Sequence, residues 1–211
     1  MVNFHIAGDF KNNAINYIEH PKIKNAKDTL LTALVSSLLR VQGRKYTYKT
    51  ENEKNDALAD SLRDKGYSVL DQTRLGRSGT DKTKNYNSGE LDIVITDPEK
   101  NSEIISIIEA LELSSVGEKN KLIKSHIDKL IYRYDTAGNH ENFIIIYAKA
   151  KHFDKLWKKY KQNINSKIFL DRPDIRELEM SKSEIKCGRT TYIRSGKQLI
   201  LHHLFVNMHT G

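Results

Sequence analysis

Apolar residues recur at two periods along this chain. Leu30, Leu31, Leu34, Leu38 and Val41 fall at the three-and-four spacing of a helix face. Asp28 stands where a cap is expected and Gly43 where such a helix stops. A second helix, residues 50–65, opens on Thr50-Glu51-Asn52-Glu53. There the Thr oxygen serves one free N–H and Glu53 reaches back to another. Leu58 and Leu62 mark its buried side, and Gly66 closes it. The period then changes. Residues 67–74 alternate as a strand, and residues 90–96 and 104–113 read as two more strands around the turn residues Asp97-Pro98-Glu99-Lys100-Asn101. Ser115-Val116-Gly117-Glu118 is a second capping box, predicting a helix to Asp135 with Ile123, Ile127, Leu130, Ile131 and Tyr134 on its apolar face. Residues 142–148, NFIIIYA, form the unbroken run of a strand covered on both faces. Phe153, Leu156, Trp157 and Tyr160 give residues 152–164 one buried helical side, with lysines opposite. Residues 184–193 and 198–206 make a hairpin around Arg194-Ser195-Gly196-Lys197. Near the start, residues 10–20 form a short helix stopped by Pro21.

Two acids break this pattern. Asp92 sits between Leu91 and Ile93, and Glu109 between Ile108 and Ala110. A carboxylate in such company is costly to bury without a cation or donors. Two acids on adjacent antiparallel strands can converge on one divalent cation. Glu53, by contrast, already has a capping role.

Charge extends the picture. The 211 residues carry 35 Lys+Arg against 27 Asp+Glu, a formal charge of +8, which favours an anionic partner such as nucleic acid. Arg74, Arg77, Lys82 and Lys84 lie in or beside a polar, glycine-bearing loop before the second strand, a candidate phosphate-contacting flap. Lys119, Leu122, His126, Lys129 and Arg133 form a stripe beside the apolar face of the helix after the third strand. Cys187 is the only cysteine, which excludes an intrachain disulfide and a Cys-based zinc site, and points to a reducing, cytoplasmic setting. His202 and His203 are adjacent on a strand and so face opposite ways, against a shared metal site with His209. The most apolar run, residues 30–39, is too short to span a bilayer and lacks the features of a signal peptide.

Helix, three strands, helix, strand, with Asp92 on the second strand and Glu109 on the third, resembles the core of the PD-(D/E)xK nuclease superfamily, the restriction-endonuclease-like fold. Gly89-Glu90-Leu91-Asp92 and Ile108-Glu109-Ala110-Leu111 carry the resemblance, which covers about the middle half of the chain. The layout also looks like nuclease-like modules of bacterial anti-phage defence systems. The resemblance implies an α/β fold with a mixed sheet in an αβββαβ core flanked by helices. It divides the chain into a helical N-terminal arm, 1–45, a nuclease-like domain, 46–165, and a C-terminal β-hairpin extension, 166–211. It implies Mg²⁺ or Mn²⁺ held by Asp92 and Glu109, and hydrolysis of phosphodiester bonds, with duplex DNA as the expected partner. The family places Lys two residues after the second acid, where this chain has Leu111. Some members move that Lys to the following helix, where Lys129 and Lys119 stand here. Lys129 is the expected replacement, with His126 one turn before it as a proton relay and Arg133 as a further phosphate contact. Two alternatives stay open: a non-catalytic subunit binding nucleic acid or a partner protein, and an RNA nuclease. The N-terminal helices are the expected surface for another subunit or partner.

Overall fold

Strand alternation sorts the side chains of one sheet onto two covered faces. The computed structural model of the protein describes residues 29–73, 91–117, 121–135, 137–165 and 174–211. The fold is mixed α/β, with elements in the order α1 (Leu30–Gly43), α2 (Glu51–Arg63), β1 (Ser68–Thr73), β2 (Leu91–Asp97), β3 (Glu103–Leu113), α3 (Leu122–Asp128), a π-helical segment (Lys129–Tyr134), β4 (Glu141–Ala148), α4 (Phe153–Ile164), β5 (Arg176–Glu177), β6 (Ile185–Arg194) and β7 (Lys197–Asn207). The seven strands form one sheet in the order β1-β2-β3-β4-β7-β6-β5. β1, β2 and β3 run as an antiparallel meander, β3, β4 and β7 are parallel neighbours, and β7, β6 and β5 are antiparallel again.

One face carries Ile93, Ile95, Ile108, Phe143, Ile145, Leu204 and Val206 against the leucines of α1 and α2. The other carries Val94, Ile107, Leu111, Ile144, Ile146 and Phe205 against α3, the π segment and α4. β4 is buried along its whole length, which is why its sequence shows no alternation. The aromatics of α4 lie in this second core. α1 packs into the first core with α2 and β7, so its apolar face is spent within the chain. The tail hairpin pairs with β4 through β7 and extends the same sheet. Its turn takes Ser195 at φ 50° and Gly196 at φ 76°, the left-handed pair that suits right-twisted strands.

Two predicted helix starts are corrected. Thr29 caps α1, accepting the N–H of Thr32 at 3.3 Å, and Asp28 lies outside the described residues. Ser115 caps no helix: α3 begins at Leu122, after β3 has stayed paired with β4 as far as Leu113. The expected helix at 10–20, Glu118 of the second capping box, and the loop at 75–87 lie outside the described residues. The first capping box is present as expected, with Glu53 accepting from Thr50 N at 3.0 Å. Those backbone bonds hold its carboxyl below the usual range.

His202 and His203 do face opposite cores. His202 stacks on Phe143 with ring centroids 5.0 Å apart, while His203 bridges the Tyr160 hydroxyl at 2.7 Å and Thr190 Oγ1 at 2.9 Å. Cys187 is buried and free, its thiol pushed up to about 12 by burial. Among the described residues no helix is long and apolar enough to cross a membrane.

Gly188 of β6 is a close-approach position. A Cβ there would stand 2.6 Å from Ile175 Cγ2 and 3.2 Å from the Trp157 ring. Gly188→Ala is expected to destabilise the fold by roughly 1–3 kcal/mol through overpacking, read as a lowered urea midpoint with unchanged slope.

Candidate active site

β2 and β3 part company at Asp92. The last pair of their ladder is Ile93↔Ile108. Beyond it, two N–H groups of β3 still point toward the departing strand, and acids receive both. Asp92 Oδ2 accepts the N–H of Ala110 at 2.7 Å. Glu51, the first residue of α2, accepts the N–H of Glu112 through Oε2 at 2.8 Å. Glu109, one residue before Ala110, faces the α3 side, as Ile107 and Leu111 do. It is 3% exposed. Its Oε1 meets His126 Nδ1 at 2.8 Å, and its Oε2 is buried with no hydrogen-bond partner among the described residues.

Crowding of like charges shows in the proton affinities. Burial, followed by the neighbouring Glu109, pushes the Asp92 carboxyl up from 3.8 to about 7; Glu51 adds to this, while Ala110 N–H and His126 pull it down. Glu51 is also raised, mainly by burial. The opposite face of β3 is balanced. Lys54 is 1% exposed and donates to Glu112 Oε1 and to the carbonyl of Thr50, both at 2.7 Å. Lys149 donates to Glu112 Oε2. Burial would raise Glu112, but the two lysines outweigh it and hold its carboxyl below the usual range. The Lys54 ammonium lies 5.8 Å from the centroid of Tyr147, whose hydroxyl donates to Asn55 Oδ1.

The predicted residues therefore separate into three groups. Asp92, Glu109 and His126 come together. Lys129 opens the π segment half-buried, and Arg133 lies exposed farther along it. Neither is among the main charges acting on Asp92. Lys119, Arg74, Arg77, Lys82 and Lys84 lie outside the described residues. Leu111 is 1% exposed and packs in the second core with Val94, Ile107 and Ile127, so an apolar side chain fills the position two residues after the second acid.

Three residues of this region escaped the sequence reading. Glu51 was hidden by the capping box, which drew attention to Glu53. Lys54 was legible in principle, since it shares a helical stripe with Leu58 and Leu62. Tyr134 reads as one more core aromatic, yet burial and the charges of Glu109 and Asp92 raise its phenol above the ordinary value.

Among the described residues no three His, Cys, Asp or Glu side chains are grouped closely enough to hold a metal ion. The donors offered are the paired carboxylates of Asp92 and Glu109, including the unpartnered Glu109 Oε2, a hard-oxygen set that suits Mg²⁺ or Mn²⁺ with water completing the shell. Comparison with protein-family models, with curated proteins and with solved structures finds no match to this chain.

The raised Asp92 has a signed consequence. Between about 3.8 and about 7 the folded chain keeps a proton that the unfolded chain has released, so stability falls as pH rises through that window. Asp92→Asn keeps an acceptor for Ala110 N–H and removes the charge. Urea unfolding should show the variant and wild type equally stable near pH 4. Near pH 8 the variant should be more stable, by at most about 4 kcal/mol at 1.36 kcal/mol per pKa unit. A wild-type stability that does not fall across the window would contradict the crowded-carboxylate reading.

Proposed function

We propose that this chain is a divalent-metal-dependent nuclease of the PD-(D/E)xK type, cleaving phosphodiester bonds of DNA. The observation that carries the reading is the Asp92–Glu109 pair at the split between β2 and β3, where burial and then the neighbouring acid raise the Asp92 carboxyl and where Glu109 Oε2 is buried with no hydrogen-bond partner among the described residues. The order α2, β1, β2, β3, α3, β4, with β3 and β4 parallel, supports a restriction-endonuclease-like core around that pair. The formal charge of +8 supports a polyanionic substrate, and Lys155, Lys158 and Lys159 stand exposed on the outer side of α4. The single cysteine is in keeping with a cytoplasmic setting, and the layout with a part in anti-phage defence.

Asp92 and Glu109 would hold Mg²⁺ or Mn²⁺, and the ion supplies an acidified water and a polarised phosphoryl oxygen. The rest is done by the chain. The N–H of Ala110 fixes one oxygen of Asp92 and leaves the other for the ion. His126 fixes Glu109 through Oε1 and leaves Oε2. Glu51, tied to Glu112 N–H, adds negative potential that favours a cation over an empty site. In this reading Lys129 meets the incoming phosphate rather than the carboxylates, and Arg74, Arg77, Lys82, Lys84 and Arg133 contact the backbone of the duplex.

One observation favours a second reading. Leu111 is built into the core where the family carries its lysine, as in a subunit that binds nucleic acid without cutting it. A nicking assay on supercoiled plasmid separates the two. Mg²⁺ should support nicking and EDTA should stop it. Asp92→Ala and Glu109→Ala should each abolish it with duplex binding retained, and Lys129→Met should lower it by about 10²-fold or more, the loss expected for one charge-stabilising donor. Duplex affinity without cleavage in wild type would select the binding reading. Labelled RNA in the same assay addresses the substrate.

Binding carries its own signature. Affinity for duplex should fall steeply with salt as lysines and arginines displace counterions. Neutralising Arg74, Arg77, Lys82 and Lys84 together should flatten that slope by up to about four units, measured by fluorescence anisotropy. An unchanged slope would clear the loop.

A further inference from the structure

We propose that the carboxyl edge of the parallel strands, where Lys149, Lys151 and Lys155 follow one another at the β4–α4 junction, grips the phosphate backbone of duplex DNA. This rests on the nucleic-acid part of the reading above and not on cleavage. β3, β4 and β7 run parallel and end in one row, at Leu113, Ala148 and Asn207.

At this edge one acid stands between two lysines. Lys54 is 1% exposed and holds Glu112 Oε1 at 2.7 Å. A buried ammonium needs that partner, so the contact is permanent and neutralises Glu112. Lys149 reaches Oε2 of the same carboxylate with its side chain 35% exposed. One carboxylate does not balance two ammonium groups, and the Lys149 charge is left facing water. Lys151 stands exposed two residues on, and Lys155 is exposed in the first turn of α4. The acid among them, Asp154, is met by Lys186 at 3.1 Å. Lys158 and Lys159 continue the ridge along the outer side of α4. The exposed large apolar residues of the described chain are Tyr46, Leu70, Leu122, Tyr132 and Ile193, and none belongs to this junction. The surface therefore offers charge without an apolar anchor, which suits a phosphate backbone and not a protein interface.

The junction is held before any partner arrives. Lys149 N donates to Leu113 O at 2.9 Å, and Met208 N donates to Ala148 O at 2.8 Å. His209 Nδ1 meets Lys149 O at 3.3 Å. With the backbone fixed, binding has only the lysine side chains to order, which lowers its entropic cost. The placement also suits the carboxylate pair. Leu113, beside Lys149, lies on the same strand as Glu109 and roughly 13 Å past it, from the strand's rise per residue. Lys149 is on the α2 side of β3 and Glu109 on the α3 side, so a duplex lying over the end of the sheet meets both.

Duplex affinity measured by fluorescence anisotropy over a salt series in Ca²⁺, without turnover, tests the surface. Lys149→Gln, Lys151→Gln and Lys155→Gln combined should flatten the slope of log affinity against log salt by up to about 2.7, at about 0.9 per phosphate contact. Gln at 149 keeps a donor for Glu112, and circular dichroism checks the fold. Should the triple variant fail to fold, Lys151→Gln with Lys155→Gln changes exposed positions alone and should flatten the slope by up to about 1.8. Lys65→Gln, Lys100→Gln and Lys197→Gln combined remove the same charge from exposed positions elsewhere and should leave the slope as in wild type. A wild-type slope in the junction variant would overturn the proposal. So would equal flattening in both triple variants, which assigns the effect to net charge. If wild type binds duplex with the steep slope but nicks nothing, the nuclease reading fails and the surface stands. If wild type does not bind duplex, the surface fails whatever the nicking assay shows.

Discussion

The structure turns on two backbone N–H groups. Where β2 leaves β3, the N–H groups of Ala110 and Glu112 lose the strand that would have paired them. Buried donors are very seldom left unpaired. Here carboxylates take the place of the missing strand, Asp92 from the start of β2 and Glu51 from the first turn of α2. Those two bonds bring three elements to one point and set both acids beside Glu109. The like charges gathered there are a by-product of satisfying the backbone, and also the feature on which the proposed chemistry rests.

The two faces of β3 treat charge differently. Toward α2, Glu112 is matched by Lys54 and Lys149, so a buried cation and a half-buried acid neutralise one another. Toward α3, among the described residues, His126 meets one oxygen of Glu109 and the other oxygen has no hydrogen-bond partner. A buried pair costs less than an unpaired buried charge. The α2 side is therefore the part that holds the fold, and the α3 side the part that a cation would complete. In the proposed reading this imbalance, at one end of the sheet, is stability traded for function.

Sequence periodicity made most of the sheet legible. The unbroken run of β4, the tail hairpin and the buried side of α4 follow from spacing alone, because each depends on which positions meet the core. Asp92 and Glu109 were legible because each interrupts an apolar pattern, and His126 because it lies on the stripe beside the apolar face of its helix. What could not be read depends on the chain leaving its pattern. The late start of α3 follows from how far β3 pairs with β4, a long-range matter. The π segment has no periodic signature in so short a stretch, so Tyr134 looks like core. Glu51 was masked by a capping box that explains its neighbours without it.

Calorimetric titration of the wild-type chain with Mn²⁺ tests whether Asp92 and Glu109 form the proposed cation site. Saturable binding of an ion is expected, lost in both Asp92→Asn and Glu109→Gln, with each variant still folded by circular dichroism. Absence of binding in wild type, or binding that survives both substitutions, would contradict it.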